Sequence, residues 1–175
     1  MNLPTWITCS RLLAVPALLV LLTQPTARER WIALVIFLVA AGTDWLDGYL
    51  ARQLNQVTDL GKFLDPLVDK LLVLAPLMAL IELQQVPGWG VFLILARELT
   101  VAGWRVNPAF QKTISGANLW GKLKTVTQVT AIAFLLAPVE MPLIALSLFW
   151  LAVALTWISG MIYLWPRLVG SQAAS

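Results

Sequence analysis

Long apolar runs, interrupted by Pro, Gly and clustered charge, divide the chain into six segments at about 6–23, 31–52, 62–84, 88–105, 122–138 and 142–165. Each comes near the ~20 apolar residues that carry a helix across a bilayer, the first and fifth being somewhat short. The pattern predicts an all-α fold: an integral membrane bundle of six transmembrane helices, forming a single domain over residues 1–175. No repeat, low-complexity stretch or long linker interrupts it. The longest polar connection is "VNPAFQKTISGANLWG", roughly 106–121. The opening "MNLPTWITCSRLLAVPALLVLL" has the apolar run of a signal peptide, but Pro16 sits inside it and no small-x-small site follows, so it is expected to be a retained first helix.

Charge orients the bundle. Six spans bring both termini to one side, and Arg11, Arg52, Lys62, Arg105, Lys112, Lys122, Lys124 and Arg167 then fall at or near that face. Only Arg28 and Arg30, with Glu29 between them, fall in an opposite-side loop. The excess of cations at cytoplasmic ends implies a multi-pass protein with both termini inside. Trp6, Trp31, Trp89, Trp104, Trp120 and Trp165 lie near the expected span ends, where an amphipathic ring suits the interface.

Composition agrees and narrows the chemistry. The chain is 59% hydrophobic and 12% charged, with a mean hydropathy of +0.81, whereas soluble domains carry about 25% charged residues. Membrane lipids are therefore expected around most of its surface. A net charge of +3 in such a chain is ordinary anchoring charge and implies no nucleic-acid partner. The single Cys9 excludes an internal disulfide and a cysteine metal cluster. Histidine is absent, so proton transfer near neutral pH falls to a carboxylate, a lysine or bound water.

Against this background "GTDWLDGYLARQLNQVTDLGKFLDPLVDK", residues 42–70, holds five of the nine acidic residues. Asp44, Asp47, Gly48 and Ala51 are spaced i, i+3, i+4 and i+7, one helix face. Asp65 and Asp69 are i, i+4 on the next segment, and Gly61 extends their stripe by a turn. A short polar connection makes the two segments antiparallel neighbours, so the four carboxylates converge. Carboxylates so close repel unless a cation lies between them. Oxygen donors without His or Cys suit Mg²⁺ or Mn²⁺, and two ions bridged by carboxylates serve phosphoryl substitution. Gly48 and Ala51 leave room for a bulky ligand, Arg52 suits a phosphate oxygen, and Pro66 sits where a helix starts or kinks. Asp59 reads as a loop charge. Four acidic side chains on six spans also fit a divalent-cation transporter, although such sites lie near the midplane on broken helices and these aspartates fall near span ends.

The run Asp44-x-x-Asp47-Gly48-x-x-Ala51-Arg52, followed by Gly61-x-x-x-Asp65-x-x-x-Asp69, resembles the signature of the CDP-alcohol phosphatidyltransferases, with every motif position filled. The resemblance covers nearly the whole chain and implies a six-helix membrane enzyme, usually a homodimer. It further implies that Asp44, Asp47, Asp65 and Asp69 surround a pair of Mg²⁺ or Mn²⁺ ions, with Asp69 also the general base. Asp44, Gly48, Arg52, Thr58 and Gly61 would meet the CDP part of the lipid substrate.

Three other stretches speak to the acceptor alcohol. "NLPTWITCSR" (2–11), "ARELTVAGWR" (96–105) and "GKLKT" (121–125) are similar to elements of the bacterial phosphatidylglycerophosphate synthase branch, with Thr5 and Trp104 departing from its usual residues. That branch implies CDP-diacylglycerol and glycerol 3-phosphate as substrates and an inner-membrane enzyme with its active site facing the cytoplasm. Arg97, Arg105, Lys122 and Lys124 are the expected grip on the acceptor's phosphate. Inositol phosphate and serine remain alternative acceptors for the same chemistry.

Overall fold

The computed structural model describes residues 3–53, 59–106 and 119–172, and among these there are six helices and no strand. They are α1 (Leu3–Leu21), α2 (Ala27–Gln53), α3 (Asp59–Glu82), α4 (Gly88–Val106), α5 (Leu119–Leu136) and α6 (Pro142–Gln172). Each matches one expected segment. α2 begins four residues before the apolar run because Thr26 and Glu29 form a capping box. The Thr26 backbone N–H donates to Glu29 Oε2 (2.6 Å), and the Glu29 N–H donates to Thr26 Oγ1 (3.4 Å). The first of these bonds, and then one from the Thr26 hydroxyl, hold the Glu29 carboxyl below its ordinary pKa. Asp59 opens α3 instead of lying in the connection, at a helix end where an acidic residue is favoured. α3 continues through Pro66 and Pro76.

α3 ends in a Schellman arrangement. Gln84 takes the left-handed conformation (φ 57°), the Gln84 N–H donates to the Ile81 carbonyl (2.9 Å), and the Gln85 N–H donates to the Leu80 carbonyl (3.0 Å). This turn presents the Gln85 side chain to Arg30 at the start of α2. Arg30 Nη2 donates to Gln85 Oε1 (2.9 Å) and to the Leu135 carbonyl (2.6 Å), while its Nε donates to the Leu136 carbonyl (3.2 Å). A cation thus satisfies the last carbonyls of α5, where the helix dipole favours it. One side chain joins three connections at one end of the bundle. Arg30→Ala should lower stability in detergent by about 1–2 kcal/mol, since these bonds involve a charged donor that is partly exposed. Thermal unfolding checks this, and an unchanged midpoint would remove Arg30 from the account.

α3 is central, touching α1, α2, α4 and α5, while α5 and α6 form the most extensive pair and α4 packs on α6. Gly90 permits that last contact: a Cβ there would meet the Phe149 ring at 2.7 Å. The core joins Leu18 and Phe37 to Leu77, Leu80, Ile94 and Phe149. Among the described side chains it draws on Ala33, Leu34, Phe37 and Ala40 of α2 and Leu72, Leu77, Ala79 and Leu80 of α3. The outward surface is apolar as well, with Leu13, Val20, Val39, Phe92, Val126 and Leu143 all more than half exposed. Among the described residues, Pro142–Ile162 is long and apolar enough to cross a membrane.

Candidate functional site

The backbone carries the aspartate pattern without interruption. α2 is helical through Gln53, so Asp44, Asp47, Gly48 and Arg52 occupy successive turns near its end. α3 is helical from Asp59, so Gly61, Asp65 and Asp69 occupy successive turns in its first half. The two helices are in contact, and only residues 54–58 separate them, so these halves lie at the same end of the bundle. The side chains of Asp44, Asp47, Arg52, Asp65 and Arg105, the surroundings of Gly48 and Gly61, and the whole of Thr58 lie outside the described residues. Four carboxylates on two adjoining helices, with no nitrogen or sulfur donor in the set, fit a hard divalent ion.

Asp69 pairs with a residue that its sequence spacing does not single out. Arg11 Nη1 donates to Asp69 Oδ1 at 2.9 Å. Arg11 reads from its sequence as a cation of the membrane face, yet it sits midway along α1 and is only 2% exposed. An arginine so buried needs a charged or strongly accepting partner. The close packing of α1 on α3 supplies one. The Asp69 side chain remains 43% exposed while it accepts from Arg11.

The expected phosphate-gripping residues divide. Arg97 on α4 and Lys124 on α5 converge on one carboxylate, Glu98 Oε1, at 3.2 Å and 2.5 Å. All three side chains are largely buried. Lys122 is exposed and stands apart from this group. Arg105 is the penultimate residue of α4. Arg97 Nη2 also donates to Ser159 Oγ on α6 (2.9 Å), whose hydroxyl donates to the Thr156 carbonyl (3.0 Å). One turn beyond Lys124, buried Gln128 donates to Thr156 Oγ1 (2.9 Å). Lys70, next to Asp69 on α3, is a further cation, and its ammonium donates to the Pro66 carbonyl (3.0 Å). The helices that carry the Arg97–Glu98–Lys124 group, α4 and α5, both contact α3. Ser159 and Gly160 went unnoticed in the sequence. Their only signal there is a polar-small pair inside the longest apolar helix.

Comparison with known proteins agrees with the motif. The family model for CDP-alcohol phosphatidyltransferase matches residues 1–158. Among curated proteins, the chain is 39% identical over 180 aligned positions to the "CDP-diacylglycerol--glycerol-3-phosphate 3-phosphatidyltransferase" of Bacillus subtilis (strain 168). Proteins of the same name from Rickettsia bellii (strain RML369-C) and Salmonella choleraesuis (strain SC-B67) are 34% and 37% identical. In each case the match covers 93% of this chain and 93% of the relative.

Proposed function

This chain belongs to the CDP-alcohol phosphatidyltransferase family, and we propose that it transfers the phosphatidyl group of CDP-diacylglycerol to sn-glycerol 3-phosphate, giving phosphatidylglycerophosphate and CMP. The observation that carries this is the unbroken register Asp44–Asp47–Gly48–Arg52 and Gly61–Asp65–Asp69 on two adjoining helices. The names of the full-length relatives support the choice of acceptor.

In this reading Asp44, Asp47, Asp65 and Asp69 hold two Mg²⁺ or Mn²⁺ ions. Bound there, the ions would supply charge neutralisation at the diphosphate and at departing CMP. Asp44, Gly48, Arg52, Thr58 and Gly61 seat the CDP moiety, with Arg52 directed to phosphate oxygen. Asp69 takes the proton of the glycerol 1-hydroxyl as that oxygen bonds to the lipid-linked phosphorus. The bond from this phosphorus to the CMP oxygen breaks, and CMP leaves with the electron pair. Arg97 and Lys124, with Arg105 and Lys122 nearer the rim, hold the acceptor's own phosphate away from the reacting one. Positioning and charge stabilisation then account for most of the rate.

The six helices form a multi-pass bundle in a bacterial inner membrane, with the site opening sideways at the cytoplasmic face and the protein acting as a homodimer. The apolar outward surface supports a lipid environment. So do exposed Trp31 and Trp89 near one end and exposed Trp120 at the other.

Comparing acceptors tests the proposal. Purified protein with CDP-diacylglycerol and Mg²⁺ should release CMP with glycerol 3-phosphate, and far more slowly with inositol phosphate or serine. Release with one of the latter, and none with glycerol 3-phosphate, would overturn the choice of acceptor.

A further inference from the structure

Arg97 is held on three sides by groups from two helices. Glu98 Oε1 accepts from Nη1 at 3.2 Å, and Ser159 Oγ accepts from Nη2 at 2.9 Å. Gly160 completes the slot: a Cβ there would lie 3.0 Å from Arg97 Nε and 3.1 Å from its Cγ, so the arginine crosses α6 where a side chain is missing. The Ser159 hydroxyl spends its proton on the Thr156 carbonyl (3.0 Å), which turns its lone pairs toward the guanidinium. Thr156 in turn donates to the Ala152 carbonyl (2.6 Å) and accepts from Gln128 (2.9 Å). Gln128 fixes α5 against α6 one turn from Lys124, and Lys124 reaches back to Glu98. A single hydrogen-bonded frame across α4, α5 and α6 therefore sets the placement of both cations.

We propose that Glu98, Ser159 and Gly160 are positioning residues that hold Arg97 and Lys124 as a preformed clamp for the phosphate of the acceptor. This rests on the proposed function, in which those two cations grip that phosphate. A guanidinium recognises phosphate through a planar fork of N–H donors, so its orientation matters as much as its charge. A long side chain left free must be ordered when the ligand arrives. One already fixed by a carboxylate, a hydroxyl and a glycine slot loses little on binding. Ser159→Ala removes one restraint without adding bulk, and Gly160→Ala pushes the guanidinium aside. Glu98→Gln keeps the shape but withdraws the shared charge.

The test is a separation of kinetic constants. Initial rates are measured with each substrate varied in turn, for wild type, Ser159→Ala, Gly160→Ala and Glu98→Gln, alongside thermal unfolding of each variant. The expected result is a KM for glycerol 3-phosphate raised about tenfold in the first two variants and more in Glu98→Gln, as loss of charge-assisted positioning predicts. The KM for CDP-diacylglycerol should stay within about twofold. Wild-type turnover with glycerol 3-phosphate tests the proposed function separately. With that turnover present, an unchanged KM for glycerol 3-phosphate in Ser159→Ala and Gly160→Ala overturns the positioning role. An equal rise in both KM values also overturns it, because a merely structural frame would disturb both substrates.

Discussion

Asp69→Asn should lower CMP release at saturating substrate by about 10²–10⁴-fold, the range associated with loss of a general base. The substitution is nearly isosteric, and an asparagine Oδ1 can still accept the bond that Arg11 Nη1 gives to Asp69 at 2.9 Å. The packing of α1 on α3 should therefore survive, and so should much of the affinity for CDP-diacylglycerol. With no histidine in the chain, no imidazole can take over the proton. Turnover and binding of a fluorescent CDP-lipid, measured side by side, separate the two effects. Near-normal turnover in Asp69→Asn would remove this carboxylate from the role of base.

Arg11→Leu should be the most damaging single change on α1. It leaves the Asp69 carboxylate without the donor that fixes one of its oxygens, while α1 keeps an apolar side chain of lesser reach in a site now only 2% exposed. Misplacing a reacting group by about 1 Å costs on the order of 10²-fold in rate, and a loss of that size is expected here. Removing one partner of a fully buried pair costs about 3–5 kcal/mol. Asp69 is 43% exposed, so water replaces part of the loss, and a smaller destabilisation of about 1–3 kcal/mol is expected. Arg11→Lys should recover stability more than rate, because an ammonium keeps the charge but not the fixed geometry of a guanidinium. Rates and unfolding midpoints of the two variants check this. Equal activity in wild type and Arg11→Leu would make the contact incidental.

The helices and the aspartate register were readable from sequence because both are local. Apolar run length sets the six segments, and spacings of three and four residues set which aspartates share a face. Helix ends were less legible. The start of α2 depends on Thr26 and Glu29, polar residues that lie before the apolar run. Arg30, read as a loop charge, turns inward to the end of α5 because that end has unsatisfied carbonyls, and its partners are 105 and 106 residues away. The roles of Arg11 and Ser159 were hidden for the same reason, since their partners lie 58 and 62 residues distant. A lone polar residue on an apolar helix shows in the sequence that it needs a partner, but does not say which. The Arg97–Glu98 doublet falls within the apolar segment 88–105, where burying charge is costly, so its position alone marks a charged site. That Lys124, and not exposed Lys122, joins it follows from which side of α5 faces α4 and α6.

The most direct measurement follows radiolabelled glycerol 3-phosphate into lipid. Protein reconstituted in liposomes is given CDP-diacylglycerol, Mg²⁺ and the labelled acceptor, and the chloroform-soluble label is counted against CMP. Label should enter the lipid phase in a one-to-one ratio with CMP, and both should be lost in Asp69→Asn. CMP release with all label left in the aqueous phase would contradict transfer to glycerol 3-phosphate.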